Sequence, residues 1–430
     1  MYSKMFIHSY TKASTKNQNE KQMSTSRGPL EGIRVLELGS SVAGPFCGRL
    51  FADFGAEVIK VEVAEGDAVR SMGKRLKGRS LYASSIFRNK RMISVDLKSE
   101  EGLDIVRQLA KRSDVVIENF RPGTMERMGL GYEKLAKDNP GLVMVRISGF
   151  GQDGPYAGRA GYGVIGESLS GLRHLTGDPD RAPSRIAASV TDEVTGIYGC
   201  MGGVMALFAR QRTGCGQVVD ATLYESAFSL IEPHVPAYGS LGVVAMRAGS
   251  RLPDTAPNNT YVTKDKRHIH ITAMGDTVFA RLASAIGRPE LARDPRYQKL
   301  VGRSEHEEEL DQIIGAWVAS KHLDAVVDCM NTNFVPSAPI YTVADIFKDP
   351  HFKARDMLLH VAEEELGEVV LAGIVPKLSN TPGRVTHAGR QVGNDTAEVL
   401  RELGITDEEI SRLCEKGIVY AMPEQPTAKL

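Results

Sequence analysis

The sequence predicts an α/β protein: a large Rossmann-like, doubly wound domain joined to a smaller α+β domain. Three observations predict it. Short apolar runs alternate with amphipathic stretches from residue 29 onward, loops bearing Gly and Pro separate them, and 430 residues are more than one typical domain needs. Residues 33–38 read as a strand that stops at Gly39. Gly44-Pro45 opens an amphipathic stretch to Phe54, closed by Gly55, as expected of a helix with a glycine just past its end. A strand at 58–61 completes a βαβ unit and implies a parallel sheet. The alternation continues with a strand at 93–97, a helix at 101–110, a strand at 114–117, a short helix at 132–138 and a strand at 142–147. Ligands of such sheets bind beyond the carboxyl ends of strands. Those ends are expected at 39–44, 62–67, Lys98, 118–123 and 148–154.

Beyond Gly154 the chain turns Gly- and Ser-rich, then enters a long helix at 193–212, ended by Arg212-Thr213-Gly214-Cys215-Gly216, with a strand at 218–221. A looser stretch at 233–257 reads as a linker. A hairpin at 259–273 and helices at 277–286, 306–320 and 323–331 make the smaller domain. A helix from Val343, a second hairpin near 358–375 and a helix pair within 396–417 complete the chain. The expected division is a disordered leader at 1–28, a large domain at 29–230, a linker at 231–257, a small domain at 258–335, and a linker with a C-terminal segment at 336–430 that returns to the large domain.

Lys plus Arg and Asp plus Glu both number 53, which argues against a nucleic-acid binder with its clustered positive footprint. Five scattered cysteines without a C-x-x-C pair argue against a disulfide framework or a zinc site and suit a reducing, cytoplasmic setting. No apolar run of 18 residues is present, so no membrane span is expected. G-x-G-x-x-G, G-x-x-x-x-G-K-[ST], H-E-x-x-H and G-x-S-x-G are all missing. Dinucleotide, P-loop, zinc-hydrolase and serine-esterase chemistry therefore lose their usual local signatures. His268 and His270 share one face of a strand, but no third ligand is near them, and surface pattern is the simpler reading.

The informative region runs from Gly149 to Gly216. Asp192 stands where the long helix begins, in Ser189-Val190-Thr191-Asp192-Glu193-Val194-Thr195-Gly196. It reads as a helix N-cap, and equally as a carboxylate kept anionic by the helix dipole and so fit to act as a nucleophile; the two readings are compatible.

Pro29-Leu30-Glu31-Gly32-Ile33-Arg34-Val35-Leu36-Glu37 resembles the opening of the class III CoA-transferases, the family of formyl-CoA and carnitine CoA-transferases. Further blocks resemble the same family in order: Gly55-Ala56-Glu57-Val58-Ile59-Lys60-Val61-Glu62, Asn89-Lys90-Arg91, Glu118-Asn119-Phe120-Arg121-Pro122-Gly123, and Gly149-Phe150-Gly151 leading to Gly154-Pro155-Tyr156. Asp192-x-x-Thr195-Gly196, Arg212-Thr213-Gly214-x-Gly216-Gln217 and Gly393-x-Asp395-Thr396 follow. The resemblance implies that Asp192 is the covalent nucleophile and that CoA thioesters are substrates, with no permanently bound cofactor. It places CoA contacts at Val42, Ala43, Val95, Asp96, Leu97, Lys98, Asn119, Phe120, Arg121 and Arg127, and an acyl-site residue at Tyr162. It also implies an interlocked homodimer whose crossing linkers would be 233–257 and 336–345.

Two departures bear on the site. Val63 stands where formyl-CoA transferases carry an Arg, which makes Arg70 the nearest candidate for that phosphate contact, and Gly163 replaces a position that is often acidic. An α-methylacyl-CoA racemase is the alternative reading. Racemases pair the Asp with a His as second acid/base, and Tyr162 at the matching place, with its ordinary pKa near 10, is a poor substitute. The acids exchanged are not readable from any motif; a small dicarboxylate such as succinate is the family-level expectation.

Overall fold

The computed structural model of the chain describes residues 28–423; the expected leader lies outside them except for Gly28. The chain divides into two compact units, one of residues 28–170, 188–230 and 356–423, the other of 171–187 and 231–355.

The first unit is built on a seven-stranded sheet. Its strands are β1 (Arg34–Glu37), β2 (Glu57–Glu62), β3 (Lys90–Val95), β4 (Val115–Glu118), β5 (Val143–Ser148), β6 (Val218–Thr222) and a C-terminal edge strand (Val419–Tyr420). From the edge strand the order runs β3, β2, β1, β4, β5, β6. All pairings are parallel except that of the edge strand with β3. Most residues of these strands are buried because both faces are covered, as parallel sheets require; most are apolar, and the buried charges among them, such as Glu37, Lys60, Lys90, Glu118 and Arg146, are paired with one another or with neighbouring groups. One face packs Leu103, Val106 and Leu109 of α2 (Glu100–Lys111) with Val399 and Leu400 near the C-terminus; the other packs Cys47 and Phe51 of α1 (Ala43–Asp53) with Ala206 and Leu207 of a long helix, α5 (Val190–Thr213).

The order 3-2-1-4-5-6 reverses direction between β1 and β4, and the crevice beyond the carboxyl ends of these two strands is where such sheets bind ligands. Two short helices, α3 (Tyr132–Asp138) and α4 (Gly163–Leu169), precede α5 on the same unit.

Glycines explain how α5 reaches its place. A Cβ on Gly196 would come within 3.0 Å of the Ala43 carbonyl oxygen and 3.1 Å of the Cys47 nitrogen, and one on Gly203 within 2.8 Å of Phe51. The helix therefore lies directly on α1, closer than any larger residue permits. Gly214, with φ of 73°, ends α5 in the left-handed conformation, and a Cβ on Gly216 would overlap the Leu142 carbonyl. The Arg-Thr-Gly-x-Gly motif is thus a structural device that turns the chain into β6.

The second unit folds around its own core of Ile269, Leu282, Leu310, Ile314 and Val326. A three-stranded antiparallel sheet is flanked by helices Asp276–Ala285, Glu307–Ala319 and Leu323–Thr332. Its strands are Asn258–Val262, His268–Thr272 and Ser337–Pro339. Two segments expected as linkers prove to be structured. Residues 233–257 contain a helix, His234–Leu241, and the third sheet strand lies inside 336–345. Residues 171–187 also belong here, contrary to the expected boundary at 230. Arg247 donates to the carbonyls of His174 and Asp178, and the Gly249 amide donates to Gly177, so this excursion is sewn to the 231–257 stretch. The His270 ring is taken by Thr260 and Asn258, at 3.1 and 2.7 Å.

Residues 356–423 lie in the first unit. The hairpin Leu358–Glu363 with Gly367–Ala372 is tied there by Arg88, fully buried, which forks onto the Asp53 carboxylate at 2.8 and 2.6 Å and donates to the Ala372 carbonyl. Among the described residues no helix is long and apolar enough to cross a membrane.

Candidate active site

Beyond the carboxyl ends of β1, β4 and β5 lies a pocket of about 220 Å³. Its walls come from six places: Ser40–Ala43 at the start of α1, Asn119–Pro122 after β4, Ile147–Gly149 at the end of β5, residues between Ala157 and Tyr162 before α4, Asp192 at the start of α5, and Leu223 after β6. Seven residues predicted from sequence meet here: Val42, Ala43, Asn119, Phe120, Arg121, Tyr162 and Asp192.

Asp192 is not the helix N-cap. Ser189 holds that position, without a side-chain hydrogen bond, and Asp192 lies in the first turn beside Glu193. A carboxylate anywhere in the first turn is still favoured by the N-terminal end of a helix. Three local features fix its direction. The Thr195 hydroxyl donates back to the Thr191 carbonyl at 2.7 Å, so this member of the motif stiffens the first turn. Gly196, one turn on, lets α5 sit on α1. Gly163, first residue of α4, leaves the space that the Asp192 carboxylate fills: a Cβ at Gly163 would overlap that carboxylate and stand 2.7 Å from its Cγ. The departure noted at Gly163 is therefore a seat for Asp192.

Nearby charges are arranged in pairs. Burial pushes the Glu118 carboxyl up, while Arg146 at 2.8 Å and the Phe120 amide at 2.8 Å pull it back; together they fix the 119–122 loop. Burial also raises Glu193, partly offset by Arg49, and it raises the Tyr82 hydroxyl, with Glu193 adding to the effect. Beneath the pocket loop, Lys60 and Lys90 share Glu37, at 3.4 and 2.6 Å, and all three are fully buried. Burial drives Lys90 down to about 8. Lys60 is raised, since Glu37, Asp67 and Glu62 outweigh its burial.

Other sequence-predicted residues lie elsewhere on this unit. Val95 is buried in β3, and Asp96 accepts from the Lys98 amide in the turn that follows; neither these nor Leu97 and Lys98 line the pocket. Arg127 is exposed, donates to the Thr124 hydroxyl at 2.8 Å, and also lies outside it. Arg70 forks onto Glu62 at 2.8 and 2.6 Å and stacks over Phe87, and it does not line this pocket. Sequence reasoning missed Arg159. It lines the pocket and stacks 3.5 Å over Tyr156, which in turn meets Phe150 edge-on. Its signal was a lone basic residue in the glycine-rich stretch before Tyr162.

The arrangement offers the Asp192 carboxyl group in a small pocket walled largely by small residues and by the uncapped first turn of α1. Such a site suits attack on an activated carbonyl by the carboxylate itself.

The sequence profile of CoA-transferase family III matches residues 30–396. The succinyl-CoA–D-citramalate CoA-transferase of Chloroflexus aurantiacus is 46% identical over 394 residues, covering 91% of this chain and 98% of that protein. The succinate–glutarate CoA-transferase of Agrobacterium fabrum is 36% identical, with 89% and 97% covered. Among solved structures, a CAIB/BAIF family protein from Brucella suis superposes with a TM-score of 0.78 at 34% identity, covering 87% of this chain and 99% of that one. The chain thus belongs to CoA-transferase family III and is a CoA-transferase.

Proposed function

We propose that this enzyme moves CoA from a succinyl-CoA-type donor to a second small carboxylic acid through covalent intermediates on Asp192. One observation carries the reading: the pocket at the sheet's switch point contains Asp192 together with Val42, Ala43 and Asn119–Arg121. The donor class is supported by relatives named for succinyl-CoA with citramalate or malate as the second acid.

A carboxylate oxygen of Asp192 attacks the thioester carbonyl, and the CoA thiolate leaves, giving a mixed anhydride. The thiolate then attacks the aspartyl carbonyl, expelling the donor acid as its carboxylate and leaving an aspartyl-CoA thioester. The acceptor carboxylate repeats the two steps in reverse order, and Asp192 is regenerated. Each step exchanges one activated acyl group for another, so no external energy source enters. A pocket of about 220 Å³ is smaller than sites that enclose a drug-sized ligand, so it suits the acyl and pantetheine end only. The nucleotide end of CoA would extend outside, where Arg121, Lys98 and Arg127 are exposed cations suited to phosphate.

The reading includes a homodimer. It is supported by an apolar stripe on α5, where Ile197, Met201, Met205 and Phe208 are 43–64% exposed, a surface that monomers rarely leave uncovered. The test is an exchange assay on a gel-filtration profile. Succinyl-CoA with a panel of mono- and dicarboxylates is followed by mass spectrometry across the fractions. New acyl-CoA from at least one dicarboxylate, coeluting with a mass of two chains, is expected. Exchange with no acid of the panel contradicts the donor assignment, and activity in a one-chain peak contradicts the dimer.

A further inference from the structure

Three consecutive residues after β1, the last two lining the pocket, are each held by a side chain from β2 or from the loops after β2 and β4. Gly39 accepts from Lys60 Nζ at 2.5 Å. The Ser40 amide donates to Asn119 Oδ1 at 2.7 Å, and the Ser40 carbonyl accepts from Asn119 Nδ2 at 2.8 Å. The Ser41 amide donates to Asp67 Oδ1 at 3.0 Å, and Asp67 Oδ2 pairs with Lys60 at 3.0 Å. Ser41 has φ of 63°, a left-handed conformation that a non-glycine residue keeps only where its surroundings over-determine it. Lys60 and Asp67 are both buried, and ions removed from water in this way are held at a cost that a loose loop does not require. Gly39 and Gly44 approach so closely that a Cβ on Gly39 would lie 3.1 Å from the Gly44 Cα.

We propose that Asn119, Asp67 and Lys60 are a clamp that locks loop 39–42 into its binding shape, and that Asn119, while lining the pocket, serves acyl-CoA chiefly by holding this loop. The side-chain amide of Asn119 already has a backbone partner for each end, so its place among the CoA-matched positions is that of a positioning residue. Lys60 and Asp67, on and just after β2, reach the same loop from below. The proposal rests on the reading of the pocket as the acyl-CoA site.

The test is steady-state exchange with succinyl-CoA as the varied substrate, alongside thermal unfolding, for Asn119→Ala, Asp67→Ala, Asp67→Asn and the double alanine variant. Each single alanine variant is expected to raise KM for succinyl-CoA about 10- to 100-fold, the range for a lost hydrogen bond to a charged or buried group, with kcat within about threefold. Asp67→Asn keeps an acceptor for the Ser41 amide and should recover most of the loss. The double variant should fall well short of the product of the singles, since both release one loop. Unchanged KM values, or effects that multiply, overturn the clamp. Should Asp67→Ala fail to fold, Asn119→Ala and Asp67→Asn decide the matter alone. The two readings fail separately: wild-type enzyme that forms no covalent CoA adduct on Asp192 removes the acyl-site reading, whereas adduct-forming wild type with KM-neutral variants removes only the clamp.

Discussion

Asp192→Ala is expected to bind succinyl-CoA and to exchange nothing, with turnover reduced by at least about 10⁴-fold, the scale seen when a covalent nucleophile is removed. The substitution should leave the fold intact. Asp192 lies inside the first turn of α5 and is not its cap, alanine is the best helix former, and no core packing is lost because the residue is only half-buried. Unchanged unfolding temperature with abolished exchange is the expected pair of readings. Near-normal turnover in this variant would assign the chemistry to another residue.

Gly163→Ala is expected to cost about 100-fold in kcat while altering KM much less. A methyl group at this position occupies the space now filled by the Asp192 carboxylate, which must rotate away. Misplacing a reacting group by about 1 Å commonly costs this much. Steady-state kinetics with succinyl-CoA checks the split. Because Gly163 has ordinary backbone angles, a rise in activity, or a loss confined to KM, would show that the glycine serves pocket volume instead of nucleophile placement.

Much of this was legible in the residues. The βαβ alternation predicted the parallel sheet, and three of the five loops expected at strand ends, 39–44, 118–123 and 148–154, contribute to the pocket, whereas 62–67 and Lys98 do not. The glycine spacing on α5 was visible as Gly196, Gly199 and Gly203, but its purpose was not, because closeness to α1 depends on which face of each helix meets the sheet. The start of α5 was placed three residues late, since Asp192 is a good cap residue and local pattern alone cannot separate capping from a place in the first turn. Segment 171–187 could not be assigned to the second unit from sequence: its ties are backbone carbonyls receiving Arg247, about 70 residues away, and carbonyls leave no trace in composition. The same holds for Asn119. Motif matching reads it as a ligand contact, and only the geometry shows both ends of its amide spent on Ser40.

The most direct measurement is intact-peptide mass spectrometry of the enzyme quenched in acid during turnover with succinyl-CoA. The account predicts a CoA-sized mass added to the peptide that carries Asp192, discharged to the hydroxamate by hydroxylamine and missing in Asp192→Ala. Turnover without any adduct, or an adduct on a different peptide, would contradict it.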